Sequence, residues 1–182
     1  MGNWSSYQLN VERSKRDRRH SINASQSIST ARSELDEDGL STRGRVEPVR
    51  LLVGYDAEVA QWVANELGIR DFGLCSAIGI IQGGRIIAGV VYSSYKHPNI
   101  DASIASISPH WCTRNIMHHL FNYPFNQLKC RRITFLIKSQ DKAIRAKAER
   151  VGFVHEGTLR HALESGDQEI YGMLKNECRW IR

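Results

Sequence analysis

The apolar positions of the chain recur with two periods, and their order predicts an architecture. Val49 to Val53 is a short run rich in β-formers and predicts a first strand. After Asp56, the apolar residues Val59, Trp62, Val63 and Leu67 recur at steps of three and four and Gly68 closes the run, so a helix is expected. Residues 74–81 and 86–92 predict paired strands around Gln82-Gly83-Gly84-Arg85, whose glycines supply the positive φ angles of a hairpin turn. Ile100 to Ile107 predicts another strand, stopped by Ser108-Pro109. Ile116, Met117, Leu120, Phe121 and Leu128 fall at helical spacing between 113 and 129, and Pro124 predicts a kink or a break and restart near Tyr123.

The remaining third continues the alternation. Ile133 to Ile137 is the clearest β-run. Asp141 can cap a helix carrying Ala143 or Ile144, Ala148 and Val151 and ended by Gly152. Residues 153–159 and 169–174 predict two last strands around Ser165-Gly166-Asp167. The order β-α-β-β-β-α-β-α-β-β describes an α/β domain over residues 48–182, with a mixed, mostly antiparallel sheet flanked by helices.

Residues 1–47 have a different texture, rich in Ser, Arg, Asn and Asp with no sustained period, and read as a low-complexity arm, disordered or ordered by a partner. Arg13, Lys15, Arg16, Arg18 and Arg19 form a basic cluster in it, and Glu34, Asp36, Glu37 and Asp38 an acidic one. Trp4 and Tyr7 are candidate anchors, and the basic cluster suits a protein or nucleic-acid partner. The whole chain of 182 residues carries a formal charge of +6, which suits phosphate-rich ligands, a polyphosphate cofactor as well as nucleic acid. The four cysteines, Cys75, Cys112, Cys130 and Cys178, have neither CxxC nor recurring spacing with histidine and read as buried free thiols. The apolar runs stop short of the roughly eighteen residues of a membrane helix, so no membrane partner is expected. With no secretory signal in MGNWSSYQLN, a cytoplasmic location is expected.

The most specific motif lies in the C-terminal third: Ala148-Glu149-Arg150-Val151-Gly152-Phe153, then Glu156-Gly157 and Arg160, then Tyr171-Gly172-Met173-Leu174 and Glu177. This constellation, with the order of elements, resembles the GNAT superfamily of N-acetyltransferases, above all the branch that acetylates ribosomal-protein N-termini. Residues 121–133, with an aromatic pair at a helix end and an Arg before the next strand, extend the resemblance, which covers 49 to about 181 and none of the arm. Most of these residues also have a purely structural reading as helix cap, bulge and core, so they identify a fold more than an activity.

The resemblance implies acetyl-CoA bound where the fourth and fifth strands part, with its pyrophosphate on backbone N–H groups at a helix N-terminus. The matching positions are Ile107, Ser108, Trp111, Thr113, Arg114 and Asn115, with Asp141 where relatives have an Asn reaching the pantetheine arm. Three departures stand out: the loop 108–115 lacks the family's glycines, Ala148 replaces a Tyr that protonates the departing thiolate in many relatives, and Asp141 can accept but not donate. Acyl transfer to an amine needs a base and a donor for the developing oxyanion. Asp101 is the candidate base, its alternative being an exposed strand-end acid. The resemblance places the oxyanion donor on the backbone near 106–108. Tyr171 is either a groove-lining residue of the catalytic site or a core tyrosine, and Glu156 and Arg160 share a face and can form an ion pair.

No metal site is expected, since His118 and His119 are adjacent on a helix and point about 100° apart. Between 129 and 150, eight cations stand against Asp141 and Glu149, a face that water, the coenzyme A 3′-phosphate or nucleic acid could cover. Three functions follow. The first is acetyl transfer from acetyl-CoA to a primary amine, on a protein N-terminus, a lysine or a small molecule. The second is a non-catalytic interaction or virion-assembly module on the same fold, tethered by the arm, and the third a nucleic-acid-modifying relative. A compact chain with a Ser/Arg arm also suits a phage-encoded protein, in host cytoplasm or virion.

Overall fold

The structure, a computed structural model, describes residues 47–182, and the arm's basic and acidic clusters lie outside the described residues. Seven strands form one sheet in the order β1-β2-β3-β4-β5-β7-β6. They are β1 (Arg50–Val53), β2 (Ser76–Gln82), β3 (Arg85–Lys96), β4 (Asn99–Ser106), β5 (Arg132–Lys138), β6 (Val154–Leu163) and β7 (Gly166–Leu174). The helices are α1 (Asp56–Leu67), α2 (Arg114–Asn122) and α3 (Lys142–Val151). Every neighbouring pair is antiparallel except β4–β5. The expected fold class and element order are therefore observed.

The two faces carry separate cores. On one, α2 and α3 pack Ile116, Met117, Leu120 and Ala148 against Val90, Tyr92, Ile100, Ile133 and Tyr171. On the other, α1 packs Val59, Ala60 and Val63 against Ala77, Val91 and Ala105. The helix approaches the sheet over Gly79 and Gly89, which stand directly opposite each other on β2 and β3. A Cβ on Gly89 would lie 2.7 Å from Val63 Cγ2, and one on Gly79 2.9 Å from Val59 Cγ2.

Several boundaries differ from the sequence expectation for physical reasons. β3 runs on to Lys96, because Tyr95 still packs against the larger core. Leu74 lies before β2 and is exposed. Pro124 is absorbed in a π-helical turn, Tyr123–Gln127, that directly continues α2, so the chain changes helical pitch where Pro lacks its N–H. The last hairpin is longer than its apolar runs, since β6 is an edge strand whose exposed residues show no alternation. Asp141 precedes α3 but makes no side-chain cap bond there. Cys130 and Cys178 are buried free thiols, whereas Cys75 is half-buried and Cys112 exposed, against the expectation that all four are buried. Burial pushes the Cys130 thiol up to about 11.

The close approach of α1 predicts that Gly89→Ala lowers stability by about 1–3 kcal/mol, as expected when a methyl is forced into a packed core. Val63→Ala should recover part of that loss in the double variant, in urea unfolding monitored by circular dichroism.

Candidate active site

The parallel pair β4–β5 holds together over only four residues, Asn99–Ala102 against Arg132–Phe135. Beyond them the register partners of 103–106 are on β3 alone and those of 136–138 on β7 alone. The strands therefore part toward their C-terminal ends and leave a wedge between them. Each leads into a helix on the same face, α2 from β4 and α3 from β5, so two helix N-termini border the wedge. Their unpaired N–H groups and dipoles make this the positive end of both helices.

The charges in the first turns are unusual for helix starts. Helix α1 begins with Asp56 and Glu58, the usual complement to a positive helix end. By contrast α2 and α3 have no acid in their first turn and begin with Arg114 and Lys142. Thr113 caps α2, its hydroxyl accepting from the Ile116 N–H at 3.4 Å. Arg114 and Asn115 are exposed beside it.

Tertiary packing sorts the other expected cofactor residues. Trp111 is buried, its indole N–H donating to Ser106 Oγ at 2.7 Å, so the ring turns into the core instead of projecting from the loop. Ser106 Oγ in turn donates to the Ser108 carbonyl at 2.7 Å, and Ser108 Oγ accepts from the His110 N–H at 3.4 Å. The Ile107 side chain is exposed, but its N–H donates to the Ile87 carbonyl at 3.0 Å, and β4 pairs with β3 without a bulge from 101 to 106. Within the stretch 106–108 expected to supply an oxyanion donor, the Ile107 N–H is therefore engaged by β3. Asp141 is exposed at the start of α3, on the opposite side of the wedge from Arg114.

Asp101 lies on the α1 face of β4, the last residue on that face before the strands part. It ends a chain of hydrogen bonds that sequence reasoning missed. Arg132 grips Glu156 through both terminal nitrogens, 2.6 Å for Nη1 to Oε1, while its Nε donates to Thr134 Oγ1 at 3.2 Å. Thr134 Oγ1 donates to Asn99 Oδ1 at 2.7 Å, and Asn99 Nδ2 donates to Asp101 Oδ1 at 3.1 Å. Glu156 therefore pairs with Arg132 and not with Arg160. The pair lies over Gly172, where a Cβ would come within 2.7 Å of Arg132 Nη1. Its signal in the sequence was the Gly at 172 opposite Thr134, legible only once the β5–β7 register is known.

A second network fixes the other wall of the wedge. The side chain of Glu169 is 8% exposed and accepts from Ser139 Oγ at 2.7 Å and Thr158 Oγ1 at 2.7 Å, with His155 Nε2 at 2.6 Å. The Ser139 carbonyl accepts from Arg145 Nη1 at 3.1 Å, so the turn after β5 is held by both its hydroxyl and its backbone. Tyr171 is fully buried, its hydroxyl donating to Glu149 at 3.1 Å and accepting from Arg145 at 3.2 Å. It belongs to the core under α3 with its hydroxyl satisfied, the second of the two readings its sequence position allowed. Ala148 also faces this core. His118 meets the Trp180 carbonyl at 2.9 Å, and no group of three or more metal-ligating side chains occurs among the described residues.

The chain matches no protein-family profile and no curated protein. It does share its fold with solved N-acetyltransferases. A spermidine N-acetyltransferase of Vibrio cholerae superposes with a TM-score of 0.58 at 14% identity, over 74% of this chain and 96% of that one. RimJ of Mycobacterium smegmatis, solved with CoA-disulfide, gives 0.55 at 15% identity, over 74% and 87%. A probable acetyltransferase gives 0.52 at 17%, over 74% and 96%.

The hydrogen bonds to Glu169, led by Ser139, with Arg145 nearby, hold its carboxyl down at about 2, from an ordinary 4.5. A depressed acid stabilises the fold fully above its unfolded value, and that contribution is lost as pH falls toward 2. The thermal midpoint of the wild type should therefore exceed that of Glu169→Gln at pH 6, and the gap should close between about pH 5 and pH 2 in parallel melts.

Proposed function

We propose that the wedge binds an acyl-coenzyme A and that the protein transfers an acetyl group from acetyl-CoA to a primary amine. The observation that carries this reading is the charge of the two helices beside the wedge. Helix α2 starts with Arg114 and without an acid, which disfavours the helix alone and is offset by an anion at its N-terminus, while α3 starts with Lys142 behind the N-cap Asp141. The shared fold with N-acetyltransferases, one of them solved with CoA-disulfide, supports the same reading.

The donor set suits a pyrophosphate. Arg114 offers a bidentate guanidinium, and Thr113 and the first-turn N–H groups of α2 lie beside it. Loop 108–115 lacks glycines, but its one bulky aromatic, Trp111, is buried and leaves the approach to smaller and charged side chains. Asp141, exposed at the start of α3, accepts from an amide of the pantetheine arm in this reading. Asp101, held by Asn99 on the α1 face, is the base that takes the amine's proton. As the C–N bond forms the thioester C–S bond breaks, and the thiolate takes a proton from solvent.

Titration calorimetry of acetyl-CoA into the full chain should give micromolar binding, weakened at least about tenfold in Arg114→Ala, the typical range for a charge-assisted contact. No heat at millimolar ligand would sink the acyl-CoA reading and favour the non-catalytic module. Asp101→Asn should leave that affinity unchanged and lower kcat by roughly a hundredfold or more, as expected for loss of a general base.

A further inference from the structure

The side chains that join Arg132 to Asp101 form a hydrogen-bonded chain with a fixed direction. A guanidinium only donates and an ionised carboxylate only accepts, so the two ends set the roles of the neutral groups between them. Asp101 Oδ1 requires the Nδ2 side of the Asn99 amide, at 3.1 Å, which turns Asn99 Oδ1 toward Thr134. Thr134 must then give its one hydroxyl proton to Asn99, at 2.7 Å, and its oxygen is left to accept from Arg132 Nε, at 3.2 Å. All three bonds therefore point from the cation to the anion, and bonds aligned in this way polarise one another.

The surrounding groups keep the chain in that state. Thr134 is buried, so its hydroxyl is not shared with water. Arg132 stands opposite Asn99, two residues from Asp101 along β4. Glu156 takes both of its terminal nitrogens and leaves only Nε for the chain. A guanidinium not held by Glu156 would be free to pair with Asp101 itself and cover the oxygens that a base needs. Arg132 is pushed above its ordinary value, first by the hydrogen bond to Glu156 and in smaller part by charges that include Asp101, so cation and aspartate sense each other with two side chains between them. Among the described residues Asp101 Oδ2 accepts no hydrogen bond, so one oxygen is held and the other is left for a proton.

We propose that Thr134 and Asn99 are positioning residues for Asp101, fixing one carboxylate oxygen so that the other takes the acceptor amine's proton as its nitrogen attacks the thioester carbon. The proposal rests on the acyltransferase reading above. A clamp that merely joined β4 to β5 would need the bond between Thr134 and Asn99 but not the link that follows it. That last link, from Asn99 to Asp101, runs along β4 itself and joins no strand to another.

Thr134→Val keeps the shape of the side chain and removes the hydroxyl, which frees the Asn99 amide to turn away from Asp101. The full chain is assayed with acetyl-CoA and two acceptors, spermidine and a decapeptide with a free α-amine and one lysine. On the faster acceptor kcat should fall about tenfold, the worth of one polarised hydrogen bond, with KM and acetyl-CoA affinity unchanged. Thr134→Ser, which restores the hydroxyl, should recover most of that loss. In the Asp101→Asn background Thr134→Val should lower kcat no further, because the base it positions is gone. A second readout needs neither cofactor nor acceptor: in nuclear magnetic resonance of the chain alone, the Asn99 side-chain amide proton aimed at Asp101 should lie downfield of the other asparagine amides. It should move back in Thr134→Val and in Asp101→Ala, and stay in Thr134→Ser. Asn99→Ala, at a half-buried position, repeats the kinetic test should Thr134→Val unfold the protein. Equal losses of kcat in the wild-type and Asp101→Asn backgrounds, no recovery by serine, or an Asn99 amide that ignores the substitutions would overturn the proposal and leave the network a clamp. Failure of the wild type to bind acetyl-CoA, or to acetylate either amine, is a separate result, which overturns the acyltransferase reading and with it the role of Asp101 as base.

Discussion

The brevity of the β4–β5 contact governs the rest of the molecule. Each strand remains bonded to an outer neighbour, β4 to β3 and β5 to β7, while the sheet's twist draws them apart. Beyond Ala102 and Phe135 their inner edges carry backbone groups with no strand partner. Such groups require water or a ligand. Because both following helices start on one face, the same parting brings two positive helix ends to one place. A single topological feature thus supplies the opening, its polar edges and its field.

Two hydrogen-bonded networks keep that opening from closing or drifting. On the α1 face the chain from Glu156 through Arg132, Thr134 and Asn99 ends at Asp101 and crosses the β4–β5 contact between Thr134 and Asn99. On the other face Glu169 and Arg145 seize the turn at Ser139 from its side chain and its backbone. Thr134 and Glu169 are the buried polar residues of the described domain, and both are satisfied. Their burial is favourable only with every partner in place, so the networks specify one geometry as well as adding stability. The glycine pair under α1 works in the same sense, by allowing one depth of packing and no other.

The fold is shared with N-acetyltransferases at identities low enough that local chemistry is free to differ. That freedom shows in the loop before α2. The loop holds no glycine; it carries an inward tryptophan bonded to Ser106, and an arginine stands at the first helical position. It shows again on β5 and β6, where Leu136 and Leu159 lie exposed.

The pattern of apolar residues determined the order of the strands and α-helices, because nearly all of them bury a stripe or a face whose period is written locally, the π-helical turn and the exposed edge strand β6 being the exceptions. Gly68, Gly152 and the Gly83-Gly84 turn were legible for the same reason: the conformations they permit are properties of single residues. That Arg114 and Asp141 each follow one strand of the parallel pair was legible from element order alone. Tertiary structure decided the rest. That Glu156 meets Arg132 instead of Arg160, that Tyr171 is buried under α3, and that the Ile107 N–H is engaged by Ile87 all depend on strand register. Register is a relation between segments distant in the chain, and a shift of one residue would reverse every face. The inward turn of Trp111 and the exposure of Leu136 and Leu159 have the same origin: an apolar side chain is buried or bare according to whether another element covers it, which its own neighbours in sequence do not record.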